Sequence, residues 1–207
     1  MSPQKKTPWK WLADEHIDAA FRLIRERLWL FPKTYRKKVA LADTVYILTD
    51  YAKRDADHFQ CGWAEVDEVY YPLNIGANHW VLVQIDLPAH MLTVYDSDQA
   101  LYDDARVEQA MRPMMKMLPY FLLNVEGVTD CADLDLTTTM KPRDFDVRRL
   151  PLNVVPQTAK SGDCSVFVVK HLECLLADIP LSNVFDDVMQ HSRQILCIDL
   201  FYQNIEP

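Results

Sequence analysis

The chain has 207 residues, a length that suits one domain (1–207) with a hydrophobic core. Its 49% apolar and 25% charged residues are ordinary for a globular protein, and its net charge of −8 argues against nucleic-acid binding over a broad surface. With only 4 Gly and no apolar run approaching membrane-spanning length, we expect neither a flexible linker nor a membrane helix.

The first half of the chain is predicted to contain one helix followed by strands. Apolar residues recur at helical spacing after Asp14, which is predicted as the N-cap of a helix that ends before Pro32. Four strands are predicted, at 44–49, 66–73, 79–86 and 91–95. Pro72 is expected to interrupt the second of them. The last two form a hairpin, which brings His79 at the start of one strand to the same end as Asp96 after the other.

The second half is predicted to be mainly helical. Asp103 and Asp104 can cap a helix that contains Pro113. Its inward face is predicted to carry Val107, Ala110, Met111, Met114, Met115 and Leu118. Further along, we predict a loop at 126–144, an extended segment at 145–155, and helices at 164–177 and 184–202. Val188, Ile195 and Leu196 are predicted to face inward on the last helix. This order of elements predicts an α+β fold with a mixed or mostly antiparallel sheet flanked by helices.

The five cysteines are spaced irregularly along the chain. No Cys-x-x-Cys pair occurs, so we expect no zinc site and no other metal. The first residues are polar and carry three lysines, which argues against a secretory signal. These observations favour a reducing intracellular compartment, nuclear or cytoplasmic, in which free thiols persist.

Cys164 lies where a short polar turn becomes an apolar run predicted to be helical. A thiol at a helix N-terminus lies at the positive end of the helix dipole, which favours the nucleophilic thiolate. Taken alone, a cysteine in an apolar helix is more often a small core residue. The interpretation of Cys164 therefore depends on which other groups accompany it.

The residues that a cysteine protease needs are present elsewhere in the chain. His79 is the candidate base, and Asp96 is the candidate acid that orients the imidazole and stabilises its charged form. Gln157 can donate an amide N–H to an oxyanion, and the backbone N–H of Cys164 is a second donor. Each signal is weak by itself, and their joint order and spacing carry the prediction.

Four short motifs follow one another in an order that resembles the ubiquitin-like-protein protease family, the SUMO-specific cysteine proteases and their relatives. They are His79-Trp80, Tyr95-Asp96-Ser97, Pro156-Gln157 and Gly162-Asp163-Cys164. Upstream, Trp11-Leu12-Ala13-Asp14 and Pro72-Leu73-Asn74 are similar to further segments of the family, so the resemblance spans 11 to about 176. The chain also resembles protease domains carried by plant mobile elements.

This resemblance implies a papain-like α+β fold and a monomeric enzyme that acts without a cofactor on a ubiquitin-like modifier of the SUMO class and its conjugates. By the same resemblance, Cys164 is the nucleophile, His79 the base and Asp96 the orienting acid. Trp11 and Trp80 match tryptophans that enclose the Gly-Gly tail of the modifier, and core packing is the alternative for both. Asp14 matches an acidic residue that contacts a basic residue of the modifier.

Two positions beside the nucleophile depart from the family pattern. Gln157 stands seven positions before Cys164 rather than six, and Thr158 occupies the six-before position. Ser165 stands where the family prefers glycine. These departures leave two hypotheses open: an active thiol protease, and a catalytically weak module that binds a modifier without cleaving it. Acyl transfer by the same cysteine and histidine ranks last, because no coenzyme A site is predicted.

Overall fold

The computed structural model describes residues 12–35, 37–44, 54–57, 59–123, 125, 142–158, 160 and 162–203. Within these residues, four helices flank a five-stranded sheet. The helices are α1 (Asp14–Leu30), α2 (Asp104–Leu122), α3 (Cys164–Leu176) and α4 (Asp186–Gln203). The strands are β1 (Val39–Leu41), β2 (Glu68–Ile75), β3 (His79–Asp86), β4 (Met91–Tyr95) and β5 (Asp146–Arg149).

The sheet is mixed, with its strands in sequence order. Strands β2, β3 and β4 form an antiparallel meander, while β1 and β5 add to its two sides in parallel. Alternate side chains of the meander are buried on both faces, α2 packing on one face and α1 with α3 on the other. The predicted α+β fold with a mixed sheet flanked by helices is confirmed.

Helix α3 is the most buried of the four helices. Its first six residues, Cys164 to Val169, are all buried, and they contact the sheet on one side and α4 on the other. Three of these residues are valines, which have a slight preference for strands. Packing on several sides outweighs that preference, as is usual for a core helix, and it fixes the position of Cys164.

Pro72 does not interrupt β2, contrary to the prediction. It pairs with Leu82 in the middle of the antiparallel ladder with β3. Tyr70 accepts a hydrogen bond from Ala42 on the β1 side, and Pro72, two residues on, points toward the same side. Because β1 ends at Leu41, opposite Tyr70, no strand there requires the N–H that Pro72 lacks.

Two predictions about the helices were wrong. Ala13, not Asp14, is the N-cap of α1, because Ala13 has extended backbone angles and its N–H donates to Nδ1 of His16. Asp14 is instead the first helical residue, where its carboxylate still interacts favourably with the helix dipole. On α4, Ile195 is 39% exposed and does not face inward. The buried stripe lies one position later in the helical repeat and consists of Met189, Ser192, Arg193 and Leu196, so Leu196 faces inward as predicted.

The strand content of the chain also differs from the prediction. The segment predicted to be extended at 145–155 is a strand only over Asp146–Arg149. A turn follows, in which the carbonyl of Pro151 accepts from the N–H groups of Val154 and Val155. Strand β1 was missed because three residues are too few to show a period. Residues 45–49 of the strand predicted at 44–49, and 126–141 of the predicted loop, lie outside the described residues.

His171 is a fully buried histidine on α3 whose two ring nitrogens have no hydrogen-bond partner among the described residues. Its ring meets the edge of Phe167 with centroids 5.6 Å apart. Burial lowers the pKa of His171 to about 4, so the native state holds this ring neutral. Between pH 6.5 and 4 the unfolded chain binds the proton that the native state excludes, so stability falls as the pH falls through that window.

We therefore expect His171→Leu to remove part of the acid sensitivity of the fold. Between pH 7 and pH 4, wild type should lose roughly 2–3 kcal/mol of unfolding free energy that the variant does not lose. Urea unfolding at both pH values measures this difference. His191→Leu, on an exposed position of α4, is the matched control and should follow the wild type. Equal slopes for His171→Leu and wild type would contradict the assignment of a neutral buried ring.

Candidate active site

The fold brings three of the predicted site residues together at one end of the sheet. His79 is the first residue of β3, Asp96 directly follows β4, and Cys164 is the first residue of α3, which packs across β3. His79 Nε2 and Asp96 Oδ1 are 2.8 Å apart, and both side chains are buried. The hairpin thus aligns these two groups as its spacing predicted.

The electrostatics of His79 are set by two neighbours. Burial opposes protonation of the ring, but hydrogen bonding and charge from Asp96 and Cys164 outweigh it and raise the pKa of His79 to about 9. Nε2 of His79 is hydrogen-bonded to Asp96, and Nδ1 has no hydrogen-bond partner among the described residues. The raised pKa of His79 favours a ring that keeps its proton near neutral pH, and this ring interacts with the cysteine at the start of α3.

Arg149 is a member of this site that sequence reasoning missed. Its Nη2 lies 2.7 Å from Oδ2 of Asp96, the oxygen that His79 does not use, and donates also to the carbonyl of Tyr102 at 3.0 Å. Its Nη1 pairs with Asp104 at 2.7 Å. Burial raises the pKa of Asp96, but its bonds to His79, the Asp98 N–H and Arg149 outweigh this and lower it below the ordinary value.

Arg149 could not be found from local sequence because 53 residues separate it from Asp96. The parallel register of β5 against β4 places Arg149 opposite Val94, two residues before Asp96. This register brings the guanidinium of Arg149 to the carboxylate of Asp96. The sequence of a four-residue strand does not reveal the register.

Gln157 lies beside the site, but its amide is engaged elsewhere. Nε2 donates to the carbonyls of Asp96 at 2.8 Å and Val155 at 2.9 Å, and Oε1 accepts from the Gln99 N–H at 2.9 Å. The bonds to Asp96 and Gln99 hold the loop before α3 against the loop after β4, and the bond to Val155 lies within the first of these loops. Donation to an oxyanion would require one of these two bonds to break, and the predicted role of Gln157 stays a prediction.

The structure also shows the surroundings of Thr158 and Ser165, the two residues that depart from the family pattern. Thr158 donates its backbone N–H to the Ser97 carbonyl at 2.7 Å, and its hydroxyl bonds with the backbone of Lys160. The Ser165 hydroxyl is fully buried and has no hydrogen-bond partner among the described residues. Neither side chain substitutes for the amide of Gln157.

The residues predicted to bind the modifier are partly described. Trp80 is only 3% exposed and packs in the cluster between the sheet, α1 and α3. Asp14 is exposed in the first turn of α1 and makes no ion pair with another described residue. Trp11 lies outside the described residues.

The described part of the chain contains no group of three or more His, Cys, Asp or Glu residues arranged to hold a metal ion. In the same residues, no helix combines the length and apolar character needed to cross a membrane.

Comparison with protein families identifies one match, which covers almost the whole chain. The sequence model of the Ulp1 protease family, C-terminal catalytic domain, matches residues 10–204. No curated protein matches the chain.

Solved structures of this kind share the fold at low sequence identity. The C-terminal Ulp1 protease domain in complex with Smt3, the yeast ortholog of SUMO, is 17% identical, with a TM-score of 0.62 over 97% of this chain and 80% of that chain. The SUMO protease Ulp1 with its catalytic cysteine oxidised to a sulfonic acid is 17% identical, with a TM-score of 0.61 over 97% and 82%. The Chaetomium thermophilum Ulp1-like SUMO protease catalytic domain is 16% identical, with a TM-score of 0.55 over 92% and 72%.

Proposed function

This chain belongs to the Ulp1 protease family, and we propose that it is a cysteine-type peptidase and isopeptidase that cleaves after the C-terminal Gly-Gly of SUMO or a related ubiquitin-like modifier. The observation that carries this proposal is the buried ring of His79, which hydrogen-bonds Asp96 through Nε2 and interacts with Cys164 at the start of α3. A core thiol would need neither a base nor an acid that orients the base.

In the proposed reaction, the Cys164 thiolate attacks the carbonyl carbon of the terminal glycine, and the N–H groups at the start of α3 stabilise the oxyanion. The imidazolium of His79 then protonates the leaving amine, and a thioester with Cys164 remains. His79, now neutral, takes a proton from water as the water attacks the thioester, and the C–S bond then breaks to release the glycine carboxylate and restore the Cys164 thiolate. Asp96 keeps the ring proton on Nε2, so that Nδ1 is the nitrogen that gives and takes protons.

The proposal assigns substrate contacts to three further residues. Trp11 and Trp80 flank the Gly-Gly tail, because flat aromatic walls admit only residues without side chains and fix the scissile carbonyl. Trp80 directly follows His79 and packs in the core, so a wall formed by it is rigid. Asp14, exposed at the start of α1, meets a basic residue of the modifier.

We further propose a single catalytic domain that acts as a monomer in the nucleus or cytoplasm, without nucleic acid as a partner. Support comes from the family match across residues 10–204. The cysteines among the described residues, which are Cys61, Cys164, Cys174 and Cys197, are all free, which suits a reducing compartment.

The hydrogen bonds of Gln157 favour a second candidate, a module that binds a modifier without efficient cleavage. Its amide hydrogens are committed to two carbonyls, so in this arrangement Gln157 offers no N–H to an oxyanion. Loss of one such donor typically lowers the rate by about 10²–10³. The two candidates differ in turnover and agree in predicting modifier binding.

We expect a SUMO probe with a C-terminal electrophile to form a covalent adduct with the wild-type protein. Intact mass should increase by one probe, and Cys164→Ala should block the adduct while retaining binding of unmodified SUMO. A ubiquitin probe with the same electrophile tests the choice of modifier. Binding of SUMO to folded wild type without an adduct would favour the binding module, and neither binding nor adduct with either modifier would refute both candidates.

A further inference from the structure

Arg193 of α4 binds the two residues that immediately precede Cys164, which are Gly162 and Asp163. Its Nε and Nη2 both donate to Oδ1 of Asp163, at 3.0 and 2.8 Å. Nη2 also donates to the carbonyl of Gly162. The side chains of Arg193 and Asp163 are both buried, so this is a desolvated contact rather than a surface ion pair.

Asp163 is the N-cap residue of α3 but does not behave as one. An aspartate at this position ordinarily has extended backbone angles and accepts a hydrogen bond from the N–H two or three residues on. Asp163 instead has φ −88° and ψ −12°, and its side chain makes no capping hydrogen bond. Its carboxylate points to Arg193.

This arrangement keeps a negative charge away from the nucleophile. A carboxylate that capped α3 would occupy N–H groups in the first turn and would offset the positive end of the helix dipole. The negative charge placed there opposes a thiolate at Cys164. The backbone N–H of Cys164 has no hydrogen-bond partner among the described residues.

We infer that Arg193 is a positioning residue for the nucleophile, which acts by drawing the Asp163 carboxylate off the N-terminus of α3. The inference deepens the proposed function and rests on Cys164 being its nucleophile. Among the described residues, the titratable groups around that sulfur are His79 from β3, Asp96 behind His79, and Asp163, which directly precedes Cys164. Arg193 affects only the last of these directly.

Removal of Arg193 leaves a buried carboxylate without its partner, and the N–H groups of α3 are the donors next to it. In Arg193→Met we therefore expect Asp163 to cap the helix. The midpoint of the pH dependence of Cys164 alkylation by iodoacetamide should rise by about half to one pH unit. Adding Asp163→Asn to this variant should return the midpoint to the wild-type value, because a neutral cap does not oppose the thiolate.

Arg27→Met is the matched control, since Arg27 on α1 pairs with Asp199 of α4 and has no contact with the Gly162–Asp163 segment. Its midpoint should equal that of wild type. Arg193→Lys keeps the charge but donates from one nitrogen, so its alkylation midpoint should rise by less. This variant replaces Arg193→Met if Arg193→Met does not fold. An unchanged midpoint in the folded Arg193 variant, or no return with Asp163→Asn, would overturn the inference.

Alkylation by a small electrophile separates this inference from the proposed function. It needs no modifier, so the midpoints can be compared even if no modifier probe reacts with the wild type. If the alkylation midpoint of the Arg193 variant rises as expected but no modifier probe labels the wild type, the role of Arg193 is supported and the modifier substrate is rejected. If a probe labels the wild type but the midpoint does not change, the modifier substrate is supported and the role of Arg193 is rejected.

Discussion

Cys164→Ala should abolish hydrolysis of a Gly-Gly-linked modifier substrate, with a loss of roughly 10⁴–10⁶ in kcat. Loss of the nucleophile removes the covalent route, and in a protease with a comparable triad it costs nearly as much as loss of the whole triad. Residual binding of the modifier should persist, because the sulfur contributes little to contact area. Turnover of a fluorogenic modifier amide, measured together with modifier affinity, tests both statements.

Cys174→Ala provides the matched control for this experiment. Cys174 belongs to the same helix and is also buried, but it packs in the cluster between α3 and α4 rather than at the helix start. It is remote from the N-terminal dipole and from His79, so activity should stay within about twofold of wild type. Equal losses in the two variants would indicate that damage to α3, and not loss of a nucleophile, had caused the effect.

The sequence carried enough information to predict the core of the fold and the central pair of the site. The β-branched, apolar segments at 79–86 and 91–95 predict a hairpin, and the hairpin alone aligns His79 with Asp96. The apolar run after Cys164 likewise predicts a buried helix that begins at the thiol. These are short-range patterns, which single-sequence reasoning can resolve.

The features that sequence reasoning missed depend on long-range register. Arg149 and Arg193 reach their carboxylates across 53 and 30 residues, and each belongs to an element whose facing side was not predictable locally. On α4, Leu196 is buried as predicted, but Ile195 is exposed and Arg193 occupies a buried position instead. A buried arginine with a carboxylate partner breaks the apolar pattern on which such predictions rely.

Both arginines act on carboxylates that flank the chemistry. Arg149 holds Asp96 ionised behind His79, and Arg193 holds Asp163 away from Cys164. In the proposed mechanism, one carboxylate thereby supports the imidazolium while the other is prevented from opposing the thiolate. The site is therefore organised by charge pairs on both sides of the cysteine and histidine, which a motif made of the two reacting residues does not reveal.

Asp96→Asn should lower kcat by about 10³–10⁴, the size of effect seen when a triad loses the acid that fixes its histidine tautomer. The structure gives a specific reason. Asparagine offers one side-chain oxygen where Asp96 offers two, one to His79 and one to Arg149. The cationic Arg149 attracts that oxygen, so the amide N–H₂ turns to Nε2 of His79 and forces the ring proton onto Nδ1.

The pH dependence of Asp96→Asn should change in a defined direction. Asp96 helps to raise the pKa of His79 to about 9, so without its charge the imidazolium is lost at a lower pH. The alkaline limb of the profile of kcat/KM against pH should therefore move toward neutral pH. Asp104→Asn removes the exposed partner of Arg149 but leaves His79 and Asp96 unchanged. This variant should keep the wild-type rate and the wild-type position of the alkaline limb.

A second substitution can separate the tautomer explanation from a general loss of charge. In Asp96→Asn combined with Arg149→Met, no cation competes for the asparagine oxygen, which is then free to accept from Nε2 of His79. This double variant should recover part of the activity that Asp96→Asn loses, although removal of a buried partner ordinarily adds damage. If the double variant is no more active than Asp96→Asn, competition by Arg149 for the oxygen is not the cause of the loss.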